Sequence, residues 1–200
     1  MINGATLTPG RARYLADQVA TSREDYYAGH GESEGRWFGD AAKALGLEGA
    51  VQPGQLEPLL DGTHPLTGER LRRVVRTRHV TIPIPHPETG APSSFVRELK
   101  PVGGFDFVLS APKSISAAHA LAEPRTASEI LAAHHAAVDA ALPLLEDEAA
   151  FVRTGRNGLV RERARGIAAA LYTHRLSRNL DPQLHTHCAI ANLAQGDDEK

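Results

Sequence analysis

The chain of 200 residues has a single cysteine, Cys188, so no intrachain disulfide can form, and that fits a reducing compartment. It also lacks any apolar run long enough to cross a bilayer. The first residues show no basic segment followed by an apolar one, so neither a leader nor an anchor is read there, and a cytoplasmic protein is expected. An excess of basic charge is missing too. Twenty-two Lys and Arg against 24 Asp and Glu give a net charge of −2, which argues against a protein that coats nucleic acid through many phosphate contacts. No internal repeat or low-complexity tail is present. What remains is a hydrophobic content of 42%, enough for one domain of ordinary size over residues 1–200 with its own core.

Charge is distributed unevenly. Arg70, Arg72, Arg73, Arg76, Arg78 and His79 form one basic stretch, and Arg153, Arg156, Arg161, Arg163, Arg165, Arg175 and Arg178 gather in the C-terminal third. Most are expected to be solvated surface side chains. Residues 1–8 alternate as a strand would. After Pro9-Gly10 a helical stripe of Leu15, Val19 and Tyr26 runs to about Ala28. A short helix around Ala41 to Leu45 stops at Gly46, and Trp37 reads as a packing anchor. The Pro- and Gly-dense stretch from Gly54 to Gly104, with Pro83, Pro85 and Pro87, suggests a surface loop or hairpin.

Phe105 to Ser110 reads as a strand with Phe105, Phe107 and Leu109 on one face and Asp106, Val108 and Ser110 on the other. A short helix follows Pro112-Lys113-Ser114. Thr126 and Glu129 form a capping-box pattern that predicts the start of a long helix to about Ala149. Its stripe is Leu131, His134, Val138, Leu142 and Leu145, with a kink expected at Pro143. His134 and His135 are taken as packing or surface residues. A hairpin is expected around Asn157-Gly158. Strands and helices mixed without regular alternation indicate an α+β fold with helices packed on a sheet.

The most informative segment runs from Leu171 to His187. His185 and His187, two apart on a strand, share a face, with Ala189 and Ala191 expected to leave open space beside them and Cys188 pointing away. His174, expected on a helix before the turn through Pro182, can supply a third ligand. Three neutral imidazoles suit zinc or another divalent metal and leave coordination positions for a substrate oxygen. A tyrosine nucleophile needs a base or a metal-polarised electrophile nearby, and Tyr14, Tyr26 and Tyr27 lie toward the N-terminus. The residues alone also allow a three-histidine zinc hydrolase whose nucleophile is metal-bound water.

Taken in order, several segments resemble the N-terminal domain of conjugative relaxases of the TrwC/TraI type, the MobF class of HUH endonucleases. Tyr14 and Glu24-Asp25-Tyr26-Tyr27-Ala28-Gly29 are similar to the family's two tyrosine motifs, and Gly35-Arg36-Trp37-Phe38-Gly39 with Leu45-Gly46-Leu47 to its glycine-tryptophan segment. Gly104 to Ser116 resembles its strand and Ser-x-Pro-Lys-Ser turn, and His174 through His187 to Asn192 its three-histidine motif. The match is weak over residues 50–100. The resemblance implies a central antiparallel sheet flanked by helices with the histidine strand in its middle. It further implies nicking of single-stranded DNA at a transfer origin, with strand transfer through a 5′-phosphotyrosyl intermediate.

By that resemblance His174, His185 and His187 hold a divalent metal (Mg, Mn, Zn or Ni), Tyr14 is the first nucleophile and Tyr26 the second. Asp106 either orients a ligand histidine or takes the tyrosine proton. On one continuous helix the two hydroxyls would stand about 18 Å apart, so one tyrosine is expected to act at a time. Family members commonly carry a tyrosine pair where Tyr14 is followed by Leu15. Their domain also continues past the histidine strand, so the fold is expected to be incomplete at Lys200, and a metal- or DNA-binding remnant without activity is the alternative. A helicase domain, an accessory nicking protein and a coupling protein are the further partners implied.

Overall fold

The computed structural model describes residues 2–8, 35–72, 77–85, 92–99, 101–154, 156, 159–177 and 179–193. Five strands form one antiparallel sheet: β1 (Ile2–Leu7), β5 (Gly104–Ser110), β9 (Pro182–Ala191), β8 (Ala169–Leu176) and β2 (Arg36–Phe38), in that spatial order. Between β2 and β5 come two short helices, α1 (Asp40–Ala44) and α2 (Leu56–Asp61), and a separate ribbon of β3 (Arg78–Pro85) and β4 (Pro92–Leu99). Helices α3 (Lys113–Leu121) and α4 (Pro124–Ala149) follow β5, and the hairpin of β6 (Phe151–Thr154) and β7 (Val160–Arg163) precedes β8. The fold is α+β, a central antiparallel sheet flanked by helices.

Side-chain parity sorts the sheet into two faces. On the reverse face Ala169, Leu171, Cys188 and Ile190 pack with Val138 and Leu142 of α4, the period-3.6 stripe read from the sequence. On the front face Ala170, Ala189 and Ala191 lie in one cluster with Trp37, Leu47, Leu59 and Leu60. Leu59 and Leu60 are fully buried, each contributing about 2–3 kcal/mol of apolar transfer energy. The space expected beside His185 and His187 is therefore filled: Ala189 and Ala191 are small because α2 lies over them. Gly104, paired with Ala191, serves the same approach, since a β-carbon there would strike the Ile190 carbonyl and the Leu60 side chain. Gly39, at φ 100°, opens α1 hard against the Ile167 carbonyl, a conformation and a proximity closed to other residues.

Trp37 is a buried anchor, its indole N–H donating to Gln55 Oε1 at 3.2 Å. The segment carrying His174 is a strand and not a helix, because hydrogen bonding to β9 along Ala169–His174 outweighs the helical preference of its alanines and leucines. Helix α4 begins at Pro124, which pre-sets φ at the first helical position, so Thr126 lies inside the helix and caps nothing. The helix runs on through Pro143. The strands of both expected hairpins pair antiparallel, while the Asn157-Gly158 turn lies outside the described residues; Pro83 is tolerated because each strand of a two-stranded ribbon is an edge. Helix α2 was not anticipated from the Pro- and Gly-dense stretch. The helical stripe from Arg11 to Ala28, with Tyr14, Tyr26 and Tyr27, lies outside the described residues.

Candidate active site

Three strands supply the front-face site. His174 on β8 stands directly opposite His185 on β9, and His187, two residues on, stands opposite Tyr172 and Val108. Opposed residues on one face of a sheet bring their β-carbons within about 5 Å. The three imidazole rings consequently form a near-equilateral triangle, with centroids 5.3 Å (His174–His185), 5.3 Å (His174–His187) and 5.1 Å (His185–His187) apart. Asp106, one position along β5 on the same face, accepts from His187 Nδ1 at 2.8 Å (Oδ2) and 3.0 Å (Oδ1). Both side chains of that pair are largely buried. His185 Nδ1 donates to the Gln183 carbonyl at 2.7 Å. A carbonyl and a carboxylate can only accept, so Nδ1 carries a proton in both rings, and a neutral ring would present its lone pair at Nε2. The Nε2 of His174 is withdrawn from solvent.

The donor set fits a metal. An imidazole bound through nitrogen at about 2.1 Å sets its ring centre roughly 3.2 Å from the ion, so three ligands at near-tetrahedral angles have ring centres about 5.2 Å apart. That is the spacing found. No three donor groups among the described residues already converge on one point.

Several neighbours hold this arrangement. Ser116 Oγ of α3 accepts from the Leu184 N–H at 3.0 Å, and Lys113 Nζ donates to the Pro182 carbonyl at 3.0 Å, so the Ser-x-Pro-Lys-Ser turn fastens the start of β9. The β8–β9 register shifts between His174 and Leu176, an irregularity of the kind that re-aims side chains beside sites. In the turn that follows, Ser177 Oγ accepts from the N–H groups of Asn179 and Asp181, and Leu180 adopts a left-handed φ of 64°. Tyr172 shares the face of His187 but is buried, and burial pushes its hydroxyl up to about 12. Burial likewise pushes the Cys188 thiol up to about 12, on the reverse face as expected.

Behind the histidines the sequence reading missed a polar seam. His134 Nε2 meets Thr186 Oγ1 at 2.9 Å, Thr186 Oγ1 meets Thr173 Oγ1 at 2.9 Å, and His135 Nε2 meets Thr173 Oγ1 at 3.2 Å. Parity could have found it, since a threonine between His185 and His187 must point at the helix layer.

Residues 9–200 match the model of the TrwC relaxase family. The chain belongs to that family. As a TrwC-type relaxase domain it is 32% identical over 185 residues to the multifunctional conjugation protein TraI of Escherichia coli, and 32% over 192 residues to TraI of strain K12. The matches cover 92% and 94% of the chain but 9% of each TraI. Among solved structures it is similar to the conjugative relaxase TrwC in a metal-bound complex with oriT DNA, with a TM-score of 0.70 and 28% identity over the whole chain and 60% of the solved TrwC chain. It is also similar to TrwC complexed with a 27-mer DNA comprising the recognition hairpin and the cleavage site, with a TM-score of 0.66 and 27% identity. That match takes in 100% of the chain and 58% of the solved TrwC chain.

Proposed function

We propose that this domain nicks single-stranded DNA at a transfer origin and transfers the cut strand in conjugation. The observation that carries the reading is the triangle of His174, His185 and His187 backed by Asp106. TrwC, similar over the whole chain, has been seen with oriT DNA and with metal. In the reaction the hydroxyl oxygen of Tyr14, and in a second round that of Tyr26, attacks the scissile phosphorus. The P–O3′ bond breaks, the 3′-oxygen leaves and takes up a proton, and the tyrosine proton passes to a base. A 5′-phosphotyrosyl linkage conserves the energy of the broken bond, so a free 3′-hydroxyl can reverse the step.

His174, His185 and His187 would hold a divalent ion, which supplies Lewis-acid neutralisation of charge on the phosphate oxygens. Both oxygens of Asp106 on His187 Nδ1 support orientation of a ligand as its role, in preference to accepting the tyrosine proton. Tyr172 is unsuited to attack because it is buried and its hydroxyl is held protonated, which favours the N-terminal tyrosines as nucleophiles. The exposed β3–β4 ribbon, with Arg78 and Arg97, has the width to lie in a major groove.

Incubation with labelled oligonucleotides spanning transfer origins, with Mn²⁺ or Mg²⁺, should yield a covalent protein–DNA band on denaturing gels. Chelator or Tyr14→Phe should abolish it. Cleavage that survives in a Tyr14→Phe, Tyr26→Phe double variant would point instead to a hydrolase using metal-bound water, and no cleavage on any substrate would sink the nicking assignment.

A further inference from the structure

We propose that Thr173, Thr186, His134 and His135 form a register lock that positions the metal-binding histidines from behind. This deepens the metal-site reading above and rests on it. Thr186 lies between His185 and His187 in sequence, and Thr173 precedes His174, so the single cross-strand pair Thr173–Thr186 adjoins all three histidines. Its side chains face the opposite way, into the layer under α4. Thr186 is 1% exposed and Thr173 and His134 are each 8% exposed, positions where valine, leucine or phenylalanine would gain apolar burial at no polar cost.

The bonding explains why polar groups stand there. Four groups make three contacts in a row, His134–Thr186–Thr173–His135. Each contact needs one proton, and the two hydroxyls can supply only two, so at least one of the two rings must donate through Nε2. A slip of β8 against β9 by one residue would turn the Thr173 hydroxyl to the front face, taking it from both Thr186 and His135 and leaving the His135 imidazole beneath the helix without its partner. An apolar pair at these positions would tolerate sliding and rotation far better, because dispersion contacts carry no direction. The lock extends sideways: Arg36 of β2 pairs with Asp139, one helical turn along α4 from His135. Burial holds His134 neutral, down to about 4, so the ring is available as donor or acceptor at neutral pH without carrying charge into the layer.

Two measurements on the folded domain test the lock. In metal-free protein, backbone amide exchange should accelerate about tenfold or more at residues 172–175 and 184–188 in Thr186→Val, with little change in α2, and Thr186→Ser should restore protection. Titration with Co²⁺, followed by its visible spectrum, should show affinity about tenfold or more weaker in Thr186→Val, with rescue by Thr186→Ser. If Thr186→Val does not fold, His134→Leu against His134→Gln gives the same contrast, with the glutamine amide retaining a hydrogen bond. Unchanged exchange and unchanged Co²⁺ affinity in the apolar variants would overturn the lock. Absence of Co²⁺ binding in the unaltered domain would instead refute the metal-site reading, and the exchange rates would still decide whether the seam fixes the strands.

Discussion

The hydrogen bonds from His187 to both oxygens of Asp106 tie a front-face histidine to a neighbouring strand. Asp106→Asn preserves volume but removes the charge, and its amide nitrogen cannot accept. Metal affinity should fall by about tenfold in a Co²⁺ titration, and an unaltered affinity would mean that the carboxylate orients nothing. A second residue-scale prediction concerns pH. Burial, with smaller repulsion from His135, His185 and His119, lowers His134 from 6.5 to about 4 in the folded chain. Between those values the unfolded chain binds a proton that the folded chain does not. Stability is therefore complete above about 6.5, is lost as pH falls toward 4, and levels off below, a loss on the order of 3 kcal/mol. Urea unfolding at pH 7 and pH 4.5 should show a smaller acid loss in His134→Leu; equal losses would place the effect elsewhere. Three of the front-face residues were legible from the sequence because strand parity alone puts His185 beside His187 and sets Asp106 opposite its aromatic neighbours, whereas His174 was expected on a helix. The seam behind them was not, since an imidazole on an apolar helix stripe looks the same whether it packs or bonds.

At the scale of elements, close approach governs what can change. Gly104→Ala would push β5 away from Ile190 and α2, so it should cost more than about 2 kcal/mol in denaturant unfolding and weaken metal binding by drawing Asp106 off His187. A cost below about 0.5 kcal/mol would show that the contact relaxes. Thr126→Ala, by contrast, should cost less than about 0.5 kcal/mol, where a true capping threonine would cost about 1, because α4 already starts at Pro124. The capping-box pattern misled because proline two residues earlier is itself a helix start. Strand β8 misled for a different reason. Ala169-Ala170-Leu171 carries no local strand signal, and only pairing with β9 on one side and β2 on the other makes it a central strand. Helix α2 is short and lies in a stretch dominated by turns, so its burial over the front-face alanines could not be read before the sheet was known.

Across the whole molecule, the basic residues divide by what surrounds them. Arg72 is structural: it donates to the carbonyls of Leu60, Val102 and Asn192, and burial lowers its pKa. Arg78 and Arg97 stand exposed on the ribbon. Replacing both with Ala should weaken oriT oligonucleotide binding and reduce the slope of log affinity against log salt by about 1–2, measured by fluorescence anisotropy; an unchanged slope would place the phosphate contacts elsewhere. The strand order β1-β5-β9-β8-β2 differs from the order in which the strands are made. On the ribosome β1 and β5 emerge early and can pair with each other, while β9, which joins β5 to β8, is made last of the five. Until it appears, Asp106 has no histidine to orient and His174 has no neighbour across the strand. A chain still in synthesis thus carries its N-terminal tyrosines without the histidine face, so under the proposed function reactivity toward DNA would be withheld until the middle strand of the sheet is in place.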